Sequence, residues 1–280
     1  GSLQKVKTRE FEFDHTRVLV QFNPARATST TAKTDAAAIA QRPCFLCVCN
    51  RPIEQRSVDA GDYYVLVNPF PIFRQHFTIP HKQHLPQQIL PYFADFLFFA
   101  RELPDFVVFY NGPRCGASAP DHLHFQAGNK GVLPLIDEYL SNPHQAVVIE
   151  NSGDARLLQC TGVLRQVLVI ESNSIHSMVE LFSKVYHSLP ADQDNEPMMN
   201  VAGLYENGKW ITFVLPRVAF RPWQFNASEP DHLMISPAAI EMTGILITPV
   251  EDHFQKITPE DIESIRSEEH TSELQSLSHL

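Results

Sequence analysis

Two histidines and a glutamine alternate in the segment Asp121-His122-Leu123-His124-Phe125-Gln126. On a strand, successive side chains point to opposite faces. His122, His124 and Gln126 then share one face, and Leu123 and Phe125 pack on the other. An imidazole has an ordinary pKa of about 6.5, so near neutral pH it is a competent nucleophile. A glutamine beside it can hydrogen-bond phosphoryl oxygens but does not titrate in the useful range. A lone strand histidine is usually structural. Two imidazoles and an amide on one face need polar partners, and together they point to a site.

The loop before this segment is Gly112-Pro113-Arg114-Cys115-Gly116-Ala117-Ser118-Ala119-Pro120. Its small residues let the amides of Gly116, Ala117 and Ser118, with the Ser118 hydroxyl, meet a transferring phosphate. Cys115 reads as a small packing residue. Upstream, Phe106-Val107-Val108-Phe109-Tyr110 has the content of a buried strand, with Asn111 at its end as a candidate substrate contact. A second cluster is Arg42-Pro43-Cys44-Phe45-Leu46-Cys47. A Cys-x-x-Cys turn lets two thiolates meet one tetrahedral zinc, but two more ligands must come from elsewhere. Arg217 and Arg221 follow the last long strand, and guanidinium forks suit phosphate.

The ordered run Gly-Ala-Ser-x-Pro-x-His-x-His-x-Gln resembles the active-site motif of the histidine-triad superfamily. The resemblance is to the branch of galactose-1-phosphate uridylyltransferase, diadenosine tetraphosphate phosphorylase (ATP adenylyltransferase) and GDP-L-galactose phosphorylase. It implies that His124 is the nucleophile, with a carbonyl at His122 holding the other ring nitrogen protonated. Gln126 stands where hydrolytic relatives carry a third histidine, which favours transfer over hydrolysis. The segment Phe77-Thr78-Ile79-Pro80-His81-Lys82-Gln83-His84 resembles the family's strand-Pro-loop-His element. By that likeness His84 and His122 complete a structural zinc site with Cys44 and Cys47; His81 and, less so, His76 compete for the role. The family's Asn-x-Phe-Pro element, here Asn68-Pro69-Phe70-Pro71, lies beside the nucleotide and makes Asn68 a candidate contact.

The elements that position these residues are partly readable. Phe11-Glu12-Phe13 and Val18-Leu19-Val20-Gln21-Phe22 read as early strands, and Tyr63-Tyr64-Val65-Leu66-Val67 as another. Residues 23–41 form a loop or weak helix. Residues 86–103 form a helix in which Pro91 marks a kink or the true start. Further strands are expected at Leu158 and 163–170, and a helix over 175–189. Met199-Asn200-Val201-Ala202-Gly203-Leu204-Tyr205 and Trp210-Ile211-Thr212-Phe213-Val214-Leu215 form a hairpin about Asn207-Gly208. Ser236 caps a helix whose first residue is Pro237; this stretch resembles one near the end of bacterial relatives. Strand, strand, helix, strand, strand is the order of one histidine-triad unit, and its partial repetition predicts an α+β fold of two pseudo-duplicated units. Each has an antiparallel sheet and packed helices: a catalytic unit over 3–135, and over 136–265 a degenerate second unit without its own His-x-His. Residues 266–280 read as a non-native tail that resembles a translated sequencing adapter, and Gly1-Ser2 as a cloning remnant.

The 280 residues carry a formal charge of −10, which argues against a nucleic-acid surface but not against a nucleotide pocket. No apolar run reaches membrane-span length, and the first residues carry no apolar signal core. Five cysteines, partly clustered, fit a reduced compartment, hence the cytoplasm. The expected activity is nucleotidyl transfer from a sugar-nucleotide or dinucleoside polyphosphate to phosphate or a phosphate ester. A histidine-triad hydrolase and a non-catalytic zinc-stabilised nucleotide-binding protein are the alternatives. A homodimer is left open.

Overall fold

A computed structural model describes residues 2–14, 16–31, 34–164, 166–191 and 196–267. A hairpin of β1 (Lys7–Phe13) and β2 (Thr16–Phe22) opens the chain. Two short helices follow, α1 (Ala27–Thr30) and α2 (Ala36–Ala40), within the stretch expected as loop or weak helix. Then come β3 (Ser57–Ala60), β4 (Tyr63–Val67), β5 (His76–Pro80), α3 (Phe93–Glu102), β6 (Phe106–Asn111) and β7 (His124–Asn129). After α4 (Pro134–Ser141), the second half supplies β8 (Ala146–Ser152), β9 (Ala155–Cys160), β10 (Leu168–Ser172), α5 (Ile175–Ser188), β11 (Met199–Glu206) and β12 (Lys209–Pro216). The chain closes with α6 (Ala239–Met242), β13 (Ile245–Thr248), α7 (Glu251–Lys256) and α8 (Pro259–Ser267).

Ten strands form one sheet in the order β3-β4-β5-β7-β6-β11-β12-β10-β9-β8. Read from each edge inward, both halves run first, second, third, fifth, fourth. In both, one helix on the same core connects the third strand to the fourth: α3 in the first half, α5 in the second. This is the paired histidine-triad-like architecture expected. The halves join where β6 runs antiparallel to β11, with Asn111 opposite Asn200 and Val108 opposite Gly203. They differ at the link from fourth to fifth strand. The second half uses a two-residue turn, Asn207 (φ 51°) and Gly208 (φ 81°), whose left-handed conformation suits a tight hairpin. The first half spends residues 112–123 there.

Where β6 and β11 meet, the sheet is covered on both faces, so the middles of these two strands are apolar on both sides. Val108 and Tyr110 of β6 join a core with Phe93, Phe96 and Phe182, where the Phe93 and Phe182 rings stack at 3.8 Å and lock α3 to α5. Val107 and Phe109 point the other way, toward Leu135, Ile136 and Ile240. The hairpin β1–β2 lies outside this sheet. It pairs with β13 in a separate three-stranded sheet, so residues expected in the first unit are tied to strand 245–248.

Several expectations shift. Pro91 marks a start: it sits in a single 3₁₀ turn, Leu90–Tyr92, that leads into α3. Of the strand expected over 163–170, β10 takes up only Leu168 onward; residues 163, 164, 166 and 167 precede it, and 165 lies outside the described residues. The helix expected from Pro237 begins later, with Ala238 as N-cap, because Glu241 Oε2 accepts from Ala238 N at 2.9 Å. Arg266 and Ser267, assigned to the tail, end α8, and Arg266 is buried. Residues 268–280 lie outside the described residues.

Candidate active site

The alternating segment splits. β7 begins at His124, and His122 lies in the turn before it, where its N–H donates to Ala119 O at 3.2 Å. The turn rotates His122 away from the face it was expected to share. Leu123 and Phe125 are fully buried in the core under α3, as alternation requires. His124 and Gln126 line a cleft of about 820 Å³.

His124 is buried, and its Nδ1 lies 2.8 Å from the carbonyl oxygen of His122. A carbonyl can only accept, so Nδ1 carries the proton and Nε2 keeps its lone pair. Among the described residues, Nε2 has no hydrogen-bond partner. Burial drives the His124 pKa down to about 4, so the ring is neutral through the neutral range.

Gln126 is oriented by its neighbours. Its Oε1 accepts from His76 Nε2 at 2.8 Å and from Asn68 Nδ2 at 3.4 Å. His76 Nδ1 in turn accepts from Ile72 N at 3.1 Å, which fixes the proton on Nε2. Burial pushes the His76 pKa down to about 3. With its oxygen engaged, Gln126 has its amide nitrogen left to donate. Asn68 borders the cleft, but its own amide is spent: Nδ2 also donates to Thr78 Oγ1, and Oδ1 accepts from Phe70 N.

The loop of residues 112–123 closes the other wall. Gly116 has φ 93°, and a Cβ there would sit 2.5 Å from the Ala238 Cβ, so only glycine fits. Gly116 and Ser118 line both the cleft and an adjoining recess of about 30 Å³, which Ala117 also lines. Arg42 ties this loop down, with Nη2 3.1 Å from both Ser118 O and Asp121 Oδ1. Its Nη1 is buried without a hydrogen-bond partner among the described residues. Asn111 borders the cleft and is also a strut: its Oδ1 accepts from Asn200 Nδ2 and Ala239 N.

The two arginines part company. Arg217 is buried and does not reach the cleft. Its guanidinium donates to Asn200 Oδ1 and to the carbonyls of Pro237, Ala219 and Phe220. It holds the second half to the segment before α6, and the reading of it as a phosphate ligand gives way to that. Arg221 lines the recess, donating to Ser236 Oγ and Thr30 O and lying over the Phe225 ring. Arg26 lines both cavities.

The expected metal ligands do come together. Cys44, Cys47, His84 and His122 place their ligand atoms within 4.8 Å of one another. His122 Nδ1 is 3.3 Å from Cys44 Sγ and 3.5 Å from Cys47 Sγ, and His84 Nδ1 is 3.3 Å from Cys47 Sγ. The sulfur–nitrogen edge of a tetrahedral zinc site is about 3.5 Å, given ordinary bond lengths. His122 Nε2 donates to His81 O at 2.8 Å, which frees Nδ1 to ligate. His81 itself is turned aside, its Nδ1 accepting from Gln83 N. A second trio, Glu229, His232 and His253, also clusters. There His253 Nδ1 accepts from Met234 N, so Nε2 holds the proton, and Lys256 caps Glu229. That trio is an ion-pair cluster rather than a ligand set.

Sequence reasoning missed Arg26, Arg42, Gln87 and the role of His76. Arg42, two residues before the first cysteine, was within reach of a local reading. The others act through contacts made only by folding.

Residues 1–129 match the model of a family described as a domain of unknown function, DUF4922. No curated protein matches the chain in sequence. Among solved structures, yeast Ap4A phosphorylase aligns at a TM-score of 0.60 and 16% identity, covering 94% of this chain and 86% of that one. The same yeast protein in complex with AMP aligns at 0.60 and 19%, covering 94% and 87%. A GalT-like protein from Arabidopsis thaliana covers 96% of this chain and 100% of its own at 15% identity and a TM-score of 0.40. The yeast structures establish a shared fold across nearly the whole chain.

Proposed function

We propose that this protein is a nucleotidyltransferase or phosphorylase that works through a nucleotidyl-His124 intermediate. The donor is a sugar-nucleotide or a dinucleoside polyphosphate, and the acceptor is phosphate or a phosphate ester. The observation that carries this is the His124 ring: its Nδ1–H donates to the His122 carbonyl, its Nε2 is unpartnered among the described residues, and it is set in the wall of a cleft large enough for a nucleotide. That the yeast relative in this fold is an Ap4A phosphorylase, seen with AMP, supports the same reading.

In the first step, the Nε2 lone pair attacks the α-phosphorus. A P–N bond forms, and the P–O bond to the distal group breaks, its electron pair leaving with that group. In the second, an acceptor oxygen attacks phosphorus and the P–N bond breaks, returning the lone pair to Nε2. The Nδ1 proton stays with the ring throughout, and the His122 carbonyl stabilises the charge that builds there. Gln126 Nε2, the amides of residues 116–118 and the Ser118 hydroxyl meet the phosphoryl oxygens. Arg26 and Arg42 supply positive charge at that end of the cleft. Phe45, Phe70 and Val67, partly exposed on its rim, suit a nucleobase. Zinc held by Cys44, Cys47, His84 and His122 would be structural, since four protein ligands leave no place for water.

The test is direct. Incubation with a donor labelled at the α-phosphate, followed by a quench, should leave acid-labile label on the protein, discharged by added phosphate. His124→Ala should abolish it. Label that persists in that variant overturns the assignment, and turnover that ignores phosphate moves the protein to the hydrolases.

A further inference from the structure

The β6–β7 ladder stops early. It pairs Phe106 with Asn129 through to Phe109 with Gln126, although β6 runs on to Asn111 and β7 begins at His124. In that register the next pair of this kind would set Asn111 against His124. A side chain stands between them instead. Gln87 Oε1 accepts from His124 N at 2.8 Å, and Gln87 Nε2 donates to His124 O and to Asn111 O, each at 3.0 Å. Gln87 is 1% exposed. On the opposite side of His124 the paired residue is Pro80, which has no N–H to give.

We propose that Gln87 is a positioning residue for the His124 imidazole. A primary amide offers the same donor and acceptor as a peptide group. Gln87 therefore substitutes for a strand backbone and keeps the ends of β6 and β7 apart. The gap lets residues 112–123 leave and return as the wall of the cleft. The same contacts fix the main chain from which the His124 ring projects, and with it the 2.8 Å contact from Nδ1 to His122 O. This rests on the reading of His124 as nucleophile, and it adds that the ring's aim is set by a residue that touches no substrate.

Three proteins decide it: the wild type, Gln87→Leu and Gln87→Glu. A misplacement of the nucleophile by about 1 Å costs about 100-fold in rate, so single-turnover labelling of Gln87→Leu should fall by that order. Nucleotide affinity should stay within about three-fold, the split expected when only the reacting geometry is lost. In Gln87→Glu an anionic oxygen faces two carbonyls; labelling should recover as pH falls from about 8 to about 6 and the carboxyl takes a proton, while the wild type stays flat. Rates within about three-fold of wild type in both variants, or rate and affinity lost in proportion, overturn the proposal. A readout without chemistry separates it from the transferase reading. Nitrogen-15 spectra of the His124 ring should show the Nδ1–H tautomer in the wild type and a mixture in Gln87→Leu. An unlabelled wild type with that spectral change removes the transferase reading and keeps the positioning. An unchanged tautomer in Gln87→Leu sinks the positioning in either case.

Discussion

Gln126 accepts through its oxygen from His76 and Asn68, which leaves its nitrogen to face the cleft. Gln126→Glu keeps both inward contacts, because a carboxylate accepts from the same two donors, but turns the remaining atom from donor to anion. Labelling should fall about 100- to 1000-fold, as for loss of one preorganised donor, with the melting temperature little changed. A drop in melting temperature that accounts for the lost activity would refute this. At this scale the sequence was legible where the pattern is local. Gly-Ala-Ser-x-Pro-x-His-x-His-x-Gln carries its spacing in a single stretch, and so do the two cysteines. Gln87 and His76 were not legible because each acts through a backbone group or an amide far along the chain. Arg217 misled for the related reason that an arginine after a strand reads the same whether it meets phosphate or four internal oxygens.

Among the elements, the Cys44–Cys47 turn joins the loop before β7 through its ligands, through Arg42 and through a small apolar cluster of Cys44, Leu46 and Ala119. Burial, reinforced by Cys44, Cys49 and Asp121, pushes the Cys47 thiol up to about 11, so thiolates here need a cation beside them. Metal analysis of purified protein should find about one zinc per chain, and Cys44→Ser should lose it and melt lower, by about 2–4 °C for each kcal/mol lost. A zinc-free wild type that melts like the variant would dismiss the site. A second prediction concerns Glu196, which accepts from Tyr110 Oη at 2.5 Å and Ile89 N at 2.7 Å and so anchors the approach to β11 to β6 and the start of α3. Burial raises its pKa to about 7, against 4.5 ordinarily. The folded state thus holds this proton to higher pH than the unfolded state. The associated stability is complete below the unfolded value and is lost as pH rises toward 7. Buried His76 and His124 act in the opposite sense, costing stability as pH falls below about 6.5. Comparison with Glu196→Gln cancels them. The variant should gain on the wild type in melting temperature between about pH 5 and pH 8; parallel curves would count against the assignment. Long periodic elements such as α3 and α5 were legible. α4, β8 and β13 were not: each has eight residues or fewer, too few to display a clear period.

Across the whole molecule, the two halves share strand order and helix placement, yet one has the long connection with the site and the other a tight turn. Repetition of strand, helix, strand, strand made the pairing legible. The crossing of the N-terminal hairpin to β13 was not, since nothing in a four-residue strand names its partner. The second half still serves the first. Asn200 Nδ2 donates to Asn111 Oδ1 and to Cys115 O, and Arg217 steadies Asn200, so the cleft wall leans on residues from across the seam.

That seam of β6 and β11 also decides what would happen to a severed gene. A break between residues 142 and 145 would give two polypeptides, each ending its sheet in a raw, water-facing row of amides and carbonyls with apolar residues above and below. Either fragment made alone should fall into inclusion bodies, whereas the pair made in one cell should find each other and regain nucleotide labelling.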